Sequence, residues 1–81
     1  MYTVYILHSK SIDKFYVGYT NDLKRRIREH NRKKGKFTDR GIPWTIVHTE
    51  QFPCKEEAMR REKFIKAKKS RQFIIDLVGN W

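Results

Sequence analysis

A short basic segment of the sequence places an arginine and a histidine one helical turn apart. On a helical wheel, Arg26 and His30 stand at positions i and i+4 and share an arc of about 100° with Leu23 and Ile27. A lone half-buried histidine is usually structural, but a guanidinium is rarely brought beside a core without a function. Its fork of N–H donors suits phosphate oxygens. Arg26 and His30 are therefore candidates for a functional site.

A carboxylate interrupts the apolar stripe of a later helix. Ala58, Met59 and Ile65 define that stripe, and Glu62 projects from within it. A carboxylate in this position must be paired, hydrogen-bonded or bound to a cation. As a hard oxygen ligand it suits Mg²⁺ or Mn²⁺, whereas a salt bridge to one of the many arginines explains it equally well. The sequence contains no Cys/His spacing for zinc, no GxxxxGK and no GxGxxG.

Two tyrosines and a glycine stand on one face of a predicted hairpin. An even-length loop between the first two strands pairs Tyr5 with Gly18, which makes Tyr16 a diagonal neighbour of Tyr5. A glycine within a strand packs nothing, so Gly18 indicates either the close approach of a ring or ligand or a bulge. The spacing alone favours neither interpretation.

The elements that must position these side chains follow from apolar periodicity and turn residues. Residues 1–9, 14–20 and 44–52 are rich in β-branched and aromatic types and are predicted strands. Helices are predicted over about Asp22–Asn31, with Asn21 or Thr20 as cap, and over about Lys55–Lys69. A last short helix is predicted between Ser70 as cap and Gly79 as stop, although "FIIDLV" is also compatible with a strand.

This order, ββαβαα, predicts an α+β fold in which a small three-stranded antiparallel sheet is flanked by helices. The segment "RKKGKFTDRGIP" is a predicted polar loop. At 81 residues, with no linker and no repeat, we expect one domain over residues 1–81.

The strongest compositional feature is a formal net charge of +10, from nineteen Lys and Arg against nine Asp and Glu. The basic residues cluster between Lys24 and Arg40 and between Arg60 and Arg71, which favours a nucleic acid over a merely solubilising surface. Neither cluster has the wide apolar face of a membrane-surface helix. The residues expected to contact phosphates outside the chemical site are Lys24, Arg25, Arg28, Lys33, Lys34 and Lys36.

The cellular compartment is predicted from three features that the sequence does not show: a membrane span, a signal peptide and a disulfide. No apolar run approaches the ~20 residues of a membrane span, and no signal peptide opens the chain. Cys54 is the single cysteine, so no internal disulfide forms, which favours a reducing compartment or simple indifference to redox state. Nothing near Cys54 in sequence resembles an activating base. We expect a cytoplasmic protein that does not interact with membranes.

Taken together, these residues resemble the GIY-YIG nuclease superfamily, particularly its small stand-alone bacterial members related to the catalytic module of the excision-repair nuclease. The segment "TVYIL" resembles the first motif element, with "TVY" in place of "GIY" but the tyrosine kept. "FYVGYTNDLKRRIREHN" resembles the second element, and "PWTIVHTEQF" followed by "KEEAMRREKFIK" resembles the third strand and the carboxylate helix. The combination covers nearly the whole chain. The residues that carry it are Tyr5, Tyr16, Gly18, Arg26, His30 and Glu62.

The resemblance implies a role for each of these residues. Tyr5 and Tyr16 are the motif tyrosines, one of them close to the attacking water, and Gly18 is the structural glycine of the motif. Arg26 is implied to hold the scissile phosphate. His30 is implied to assist proton transfer or to orient a tyrosine. Glu62 is implied to bind one divalent metal ion, Mg²⁺ or Mn²⁺.

The function implied is a divalent-metal-dependent DNA endonuclease with low intrinsic sequence specificity, in DNA repair or recombination. The alternative is a non-catalytic, basic nucleic-acid-binding protein on the same scaffold, and a structural or ribosome-associated small protein comes third. DNA is the expected partner, although the sequence does not distinguish it from RNA. We expect a monomer whose specificity comes from a partner protein, from DNA shape, or hardly at all.

Overall fold

The computed structural model describes residues 1–35 and 37–79, with only the backbone described at positions 37 and 38. Its elements follow the predicted order ββαβαα, which confirms the α+β prediction. A short 3-10 helix, Phe37–Gly41, lies where only a polar loop was predicted. The elements are β1 (Tyr2–Ser9), β2 (Lys14–Thr20), α1 (Leu23–His30), β3 (Trp44–Phe52), α2 (Lys55–Ala67) and α3 (Arg71–Val78).

The three strands form one antiparallel sheet in the order β2-β1-β3. The central strand β1 is paired on both sides, and its residues from Thr3 to Ser9 are buried. In the β1–β2 ladder Tyr5 lies opposite Gly18, as the hairpin loop predicts. The β1–β3 ladder shifts register between Ile6 and Leu7, an irregularity of the kind made by a β-bulge.

Two apolar cores lie on the two faces of the sheet, because successive side chains of β1 point to opposite sides. Val4 and Ile6 pack with Val17 of β2 and with Ala58 and Ile65 of α2. The fully buried Val4, Ile6 and Ile65 side chains each contribute about 1.5–3 kcal/mol relative to exposure.

The second core is built around Tyr5, Leu7 and Trp44, with Leu23 and Ile27 of α1 packed against it. Helix α1 therefore covers one face of the sheet, whereas α2 and α3 cover the other. Tyr5 belongs to the core and to the candidate site at the same time.

The N-terminal cap of α1 is Asp22, which corrects the expectation of Thr20 or Asn21. The carboxylate Oδ1 of Asp22 accepts a hydrogen bond from Arg25 N at 3.1 Å. Thr20 precedes this cap by two residues, and its Oγ1 accepts a hydrogen bond from Asp22 N at 3.0 Å. A carboxylate at this position satisfies a free N–H group of the first turn and complements the positive end of the helix dipole.

The junction between α2 and α3 is sharper than predicted. Helix α2 ends at Ala67 instead of Lys69, and Lys69 itself has a left-handed φ of 47° that an α-helix cannot accommodate. Ser70 caps α3, as predicted, by accepting from Phe73 N at 3.1 Å. Gly79 ends α3 with a φ of 82°, also as predicted.

The C-terminal end of α1 is tied to the start of β3 by one side-chain amide. Asn31 Nδ2 donates to Trp44 O at 3.1 Å, and Trp44 N donates to Asn31 Oδ1 at 2.6 Å. The amide thus pairs with Trp44 much as a neighbouring strand would. Because Asn31 follows His30 directly, this pairing sets where the imidazole lies above the sheet.

Within the described ranges the longest helix, α2, has 13 residues, and none of the helices has the length and apolarity required to cross a bilayer.

Candidate active site

The centre of the candidate site is the hydroxyl group of Tyr5, a side chain that is only 1% exposed. Arg26 Nε donates a hydrogen bond to this oxygen at 3.3 Å, and His30 Nε2 lies 3.5 Å from it. Because a guanidinium only donates, the phenol proton stays available for His30. His30 accepts it through Nε2 when the ring proton is on Nδ1. The three groups form a hydrogen-bonded chain that runs from Arg26 through Tyr5 to His30.

Burial and charge set the protonation of this chain. Burial raises the pKa of Tyr5 above its ordinary value, and the hydrogen bond from Arg26 opposes that rise only in part. Burial also lowers the pKa of His30, helped by the positive charges of Arg26 and Lys34. Near neutral pH the phenol therefore keeps its proton and the imidazole is neutral. The hydrogen bond to Tyr5 raises the pKa of Arg26, so the guanidinium stays charged.

Arg26 is more open to solvent than its place beside the apolar stripe suggests, because its side chain is 45% exposed. One donor, Nε, is used by Tyr5, and Nη1 lies 3.4 Å from Glu29 Oε1. Arg26 also lines an open depression of the protein. A long arginine side chain can leave the core edge while its Nε still reaches the phenol, so it can contact a buried group and an external anion together.

Gly18 is required by the close approach of Tyr5. A Cβ at this position would lie 2.6 Å from Tyr5 Oη, 2.8 Å from Tyr5 Cζ and 3.3 Å from Tyr16 Cε1. The β1–β2 ladder passes through Gly18 without a register shift. Of the two interpretations that the sequence left open, the approach of a ring is therefore confirmed and the bulge is wrong.

Tyr16 contacts both of the other rings of the site, those of Tyr5 and His30. Its ring centroid lies 6.4 Å from that of Tyr5 with the planes 20° apart, as expected for diagonal neighbours on one face. Its distance to the His30 ring is 4.4 Å at 65°, an edge-on contact. Such contacts stabilise an aromatic cluster by about 0.5–1.5 kcal/mol per pair beyond buried area. The imidazole is thereby held between two phenols.

Glu62 of α2 lies near Tyr5, Tyr16 and Arg26, in the depression described below. Its side chain is only 15% exposed, and Lys66 Nζ lies 3.5 Å from Oε2, one helical turn away. The sequence left a salt bridge to an arginine open, and the structure pairs the carboxylate with a lysine. An open depression of about 400 Å³ is lined by Glu62 together with Tyr5, Tyr16 and Arg26. Tyr5, Tyr16, Arg26 and Glu62 therefore meet around one cavity, whereas His30 is not among its lining residues and contacts Tyr5 instead.

Sequence reasoning missed five residues that line this depression: Tyr2, Tyr19, Thr20, Asn21 and Lys55. For Lys55 a signal was present, because Lys55 and Glu62 are seven positions apart on one helix and so share a face. For Thr20 strand alternation was a signal, because it shares a face of β2 with Tyr16 and Gly18. For Tyr2, Tyr19 and Asn21 the position in the depression depends on where α2 crosses the sheet.

The basic residues predicted to contact phosphates are mostly exposed, and the part of them that the structure describes does not line the depression. Of these residues, Lys34 influences the site electrostatically, because its positive charge helps to lower the pKa of His30. Lys36 lies outside the described residues. The structure thus separates a chemical cluster from a surrounding basic surface made of Lys24, Arg25, Arg28, Lys33 and Lys34.

The donor set around Glu62 fits a lightly held hard cation. Among the described residues no group of three or more His, Cys, Asp and Glu side chains converges, so a cage built entirely from protein ligands is not formed by them. Mg²⁺ typically keeps several waters and binds through one or two carboxylates plus substrate phosphates. A single, largely buried carboxylate facing a polar depression matches that mode.

Comparison with known proteins agrees with this architecture. The family model of the GIY-YIG catalytic domain matches residues 1–73. A UPF0213 protein of Halobacterium salinarum is 48% identical over 67 residues, which cover 82% of this chain and 86% of that one. A UPF0213 protein of Streptococcus pneumoniae is 39% identical over 70 residues, which cover 85% and 70%.

A solved structure shows the same likeness in three dimensions. The solution NMR structure of the UPF0213 protein BH0048 from Bacillus halodurans has a TM-score of 0.59 and 36% sequence identity to this chain. The match covers 99% of this chain and 89% of that one.

Proposed function

The chain belongs to the GIY-YIG catalytic domain family, a nuclease superfamily, and from this premise we propose that it is a divalent-metal-dependent DNA endonuclease. It hydrolyses phosphodiester bonds with low intrinsic sequence specificity. The observation that carries the proposal is the contact of Arg26 Nε and His30 Nε2 with one phenol oxygen, that of Tyr5, in a depression also lined by Glu62.

Arg26 binds the phosphate to be cut. The guanidinium N–H groups that do not contact Tyr5 suit the non-bridging oxygens of the phosphate, where negative charge grows as the phosphorus becomes five-coordinate. Its bond to Tyr5 fixes the direction of the guanidinium before substrate arrives, so little reorganisation is required in the transition state. Lys55, at the first turn of α2, lines the same depression and adds a positive charge at its rim.

Tyr5 and His30 move the proton of the attacking water. A phenol whose pKa is raised is a poor base by itself, and the structure supplies an acceptor behind it. As the water oxygen bonds to phosphorus, its proton passes to Tyr5 Oη while the phenol proton passes to His30 Nε2. The bond from phosphorus to the leaving oxygen breaks, and that oxygen takes a proton from solvent. Neutral His30 can accept because its pKa is lowered.

Glu62 would hold the single Mg²⁺ or Mn²⁺ ion. The chemistry that the ion supplies when bound is neutralisation of phosphate charge and stabilisation of the leaving oxygen. Lys66, now 3.5 Å from the carboxylate, would turn outward, and its exposed side chain leaves it free to do so.

Low sequence specificity follows from contacts made to phosphates, which carry no base identity. We place the activity in DNA repair or recombination in the cytoplasm, performed by a monomer or with a partner protein that supplies specificity. The positive charge of +10 supports a polyanionic substrate, with affinity that falls steeply as salt rises.

The test is nicking of supercoiled plasmid with Mg²⁺ or Mn²⁺. Wild type should nick, whereas Arg26→Ala and Glu62→Gln should lose about 100-fold or more in rate. Glu56→Gln, an exposed carboxylate on the same helix, is the matched control and should nick like wild type. Equal nicking by Glu62→Gln and wild type would exclude the metal role. Tight DNA binding by every variant, with no cutting of linear, nicked or branched DNA by wild type, would favour the non-catalytic alternative.

A further inference from the structure

A second group of aromatic and basic side chains lies on the outer side of α2. Phe64 is 46% exposed, although it is a large apolar residue. Its ring packs edge-on against Phe73 of α3, with centroids 6.1 Å apart and planes at 71°. Glu62 and Phe64 are two positions apart, about 200° on the helix, so they face opposite sides of α2. This aromatic site is therefore separate from the depression around Tyr5.

Cations flank the exposed ring. Lys68 Nζ lies 4.6 Å from the Phe64 centroid and 5.6 Å from that of Phe73. The guanidinium carbon of Arg61 lies 5.4 Å from the Phe64 centroid. Lysine and arginine in these positions are attracted by the ring.

A shallow depression of about 350 Å³ adjoins the ring. It is lined by Phe52, Glu57, Arg60, Arg61 and Phe64. Two guanidinium groups thus stand against one lining carboxylate, although Arg61 also donates to Glu50 at 2.8 and 3.1 Å. The floor is aromatic and the rim is positive, so the complementary ligand is flat, apolar on its faces and negatively charged at its edge.

We propose that this surface binds an unpaired DNA strand, with one base stacked on Phe64 and its flanking phosphates held by Arg60 and Lys68. Stacking on an exposed aromatic ring between basic side chains is the mode by which single strands bind without sequence readout. The flexible side chain of Lys68 leaves the ring face as the base arrives, and its charge moves to the phosphate.

This inference rests on the proposed nuclease function and narrows its substrate class. A helix with its side chains is only about 10–12 Å across, so one strand can pass over α2 from the Phe64 surface to the pocket of Glu62. The substrate class is then DNA with an unpaired segment next to the bond that is cut.

The test is fluorescence anisotropy with labelled oligothymidylate and with a blunt duplex, both in EDTA so that no cutting occurs. Phe64→Ala should weaken binding to the single strand by about tenfold and to the duplex by less than about twofold. Phe64→Trp should keep single-strand binding, and Lys68→Gln should weaken it and reduce its salt dependence. Ile46→Ala removes a comparably exposed apolar side chain, 41% exposed on β3, and should leave both affinities unchanged.

Several outcomes would overturn the proposal. The first is an unchanged affinity of a natively folded Phe64→Ala, as judged by circular dichroism, for oligothymidylate. The second is an equal loss of affinity of this variant for oligothymidylate and the duplex. The third is that wild type binds oligouridylate more tightly than oligothymidylate and that Phe64→Ala weakens the binding of oligouridylate. Plasmid nicking is measured separately. If Phe64→Ala both nicks and binds the single strand like wild type, only this inference fails. If wild type cuts nothing while Phe64→Ala selectively loses single-strand binding, only the nuclease proposal fails.

Discussion

Replacing Gly18 with alanine tests whether the position of the Tyr5 ring is what makes the site. The new Cβ would lie 2.6 Å from Tyr5 Oη, whereas ordinary van der Waals contact begins at 3.4 Å. The hydroxyl must therefore retreat by about 0.8 Å or more. Since Arg26 Nε and His30 Nε2 already stand 3.3 and 3.5 Å from it, this movement breaks or redirects at least one of the two contacts.

The expected loss of stability can be worked from opposing effects. Forcing a methyl group against a ring that is 1% exposed costs about 1–3 kcal/mol. Alanine offsets about 0.5–1 kcal/mol of this, because glycine loses more backbone entropy in a strand. A net loss of about 1–2 kcal/mol should lower Tm by roughly 5–15 °C in a domain of this size. Activity should fall further, by about 100-fold in kcat/KM, because a displacement near 1 Å misaligns reacting groups.

The assay pairs thermal unfolding with plasmid nicking at a temperature where every variant is folded. Gly35→Ala is the matched control, because its φ of 73° strains an alanine while no atom of the described residues lies within 4 Å of the added Cβ. It should lose about 1 kcal/mol of stability and keep its nicking rate. A Gly18→Ala protein with wild-type Tm and wild-type kcat/KM would refute the reasoning.

A double-mutant cycle locates the clash. Tyr5→Phe removes the oxygen that meets the new Cβ, although the Cζ contact at 2.8 Å stays. Gly18→Ala should therefore cost less stability in the Tyr5→Phe background than in wild type, with a coupling of about 0.5–1 kcal/mol. If the stability losses of the two substitutions simply add, the Tyr5 hydroxyl is not the group that clashes with the new Cβ.

Three other predictions concern protonation and packing. Burial holds the pKa of His30 below its ordinary 6.5, so the nicking rate should decline as pH falls through that pKa. The kcat/KM of His30→Gln should be low and should not show this decline at acid pH. The same decline in the variant would assign the titration to another group. Asn31→Ala should lower the free energy of unfolding in urea by about 1–3 kcal/mol, because it removes both hydrogen bonds between the Asn31 amide and the Trp44 backbone. No change in urea unfolding would mean that water replaces the amide. Arg61 holds the pKa of Glu50 below its ordinary 4.5, so the stability that this pair adds is complete above pH 4.5 and lost as pH falls through the lowered pKa. Arg61→Met should therefore be less stable than wild type at neutral pH and approach it in acid, and a constant gap in urea unfolding would contradict that.

Much of the fold could be predicted from sequence because its signals are local. Strand alternation and an even-length hairpin loop are enough to pair Tyr5 with Gly18, since side-chain direction in a strand has a period of two. Ser70 and Gly79 bound α3 through their own hydrogen bonding and backbone freedom. The cap of α1 was misassigned because three adjacent residues can each cap a helix, and the local pattern does not rank them.

The sequence by itself determined which side chains stand out: Arg26 and His30 one turn apart, and Glu62 in an apolar stripe, are visible on a helical wheel. Only the tertiary structure decided that the first two meet the hydroxyl of Tyr5, and that Lys66 pairs with Glu62 where an arginine was an open alternative. These contacts depend on the angle at which each helix crosses the sheet. That angle is set by the packing of two cores on opposite faces, so no local pattern encodes it.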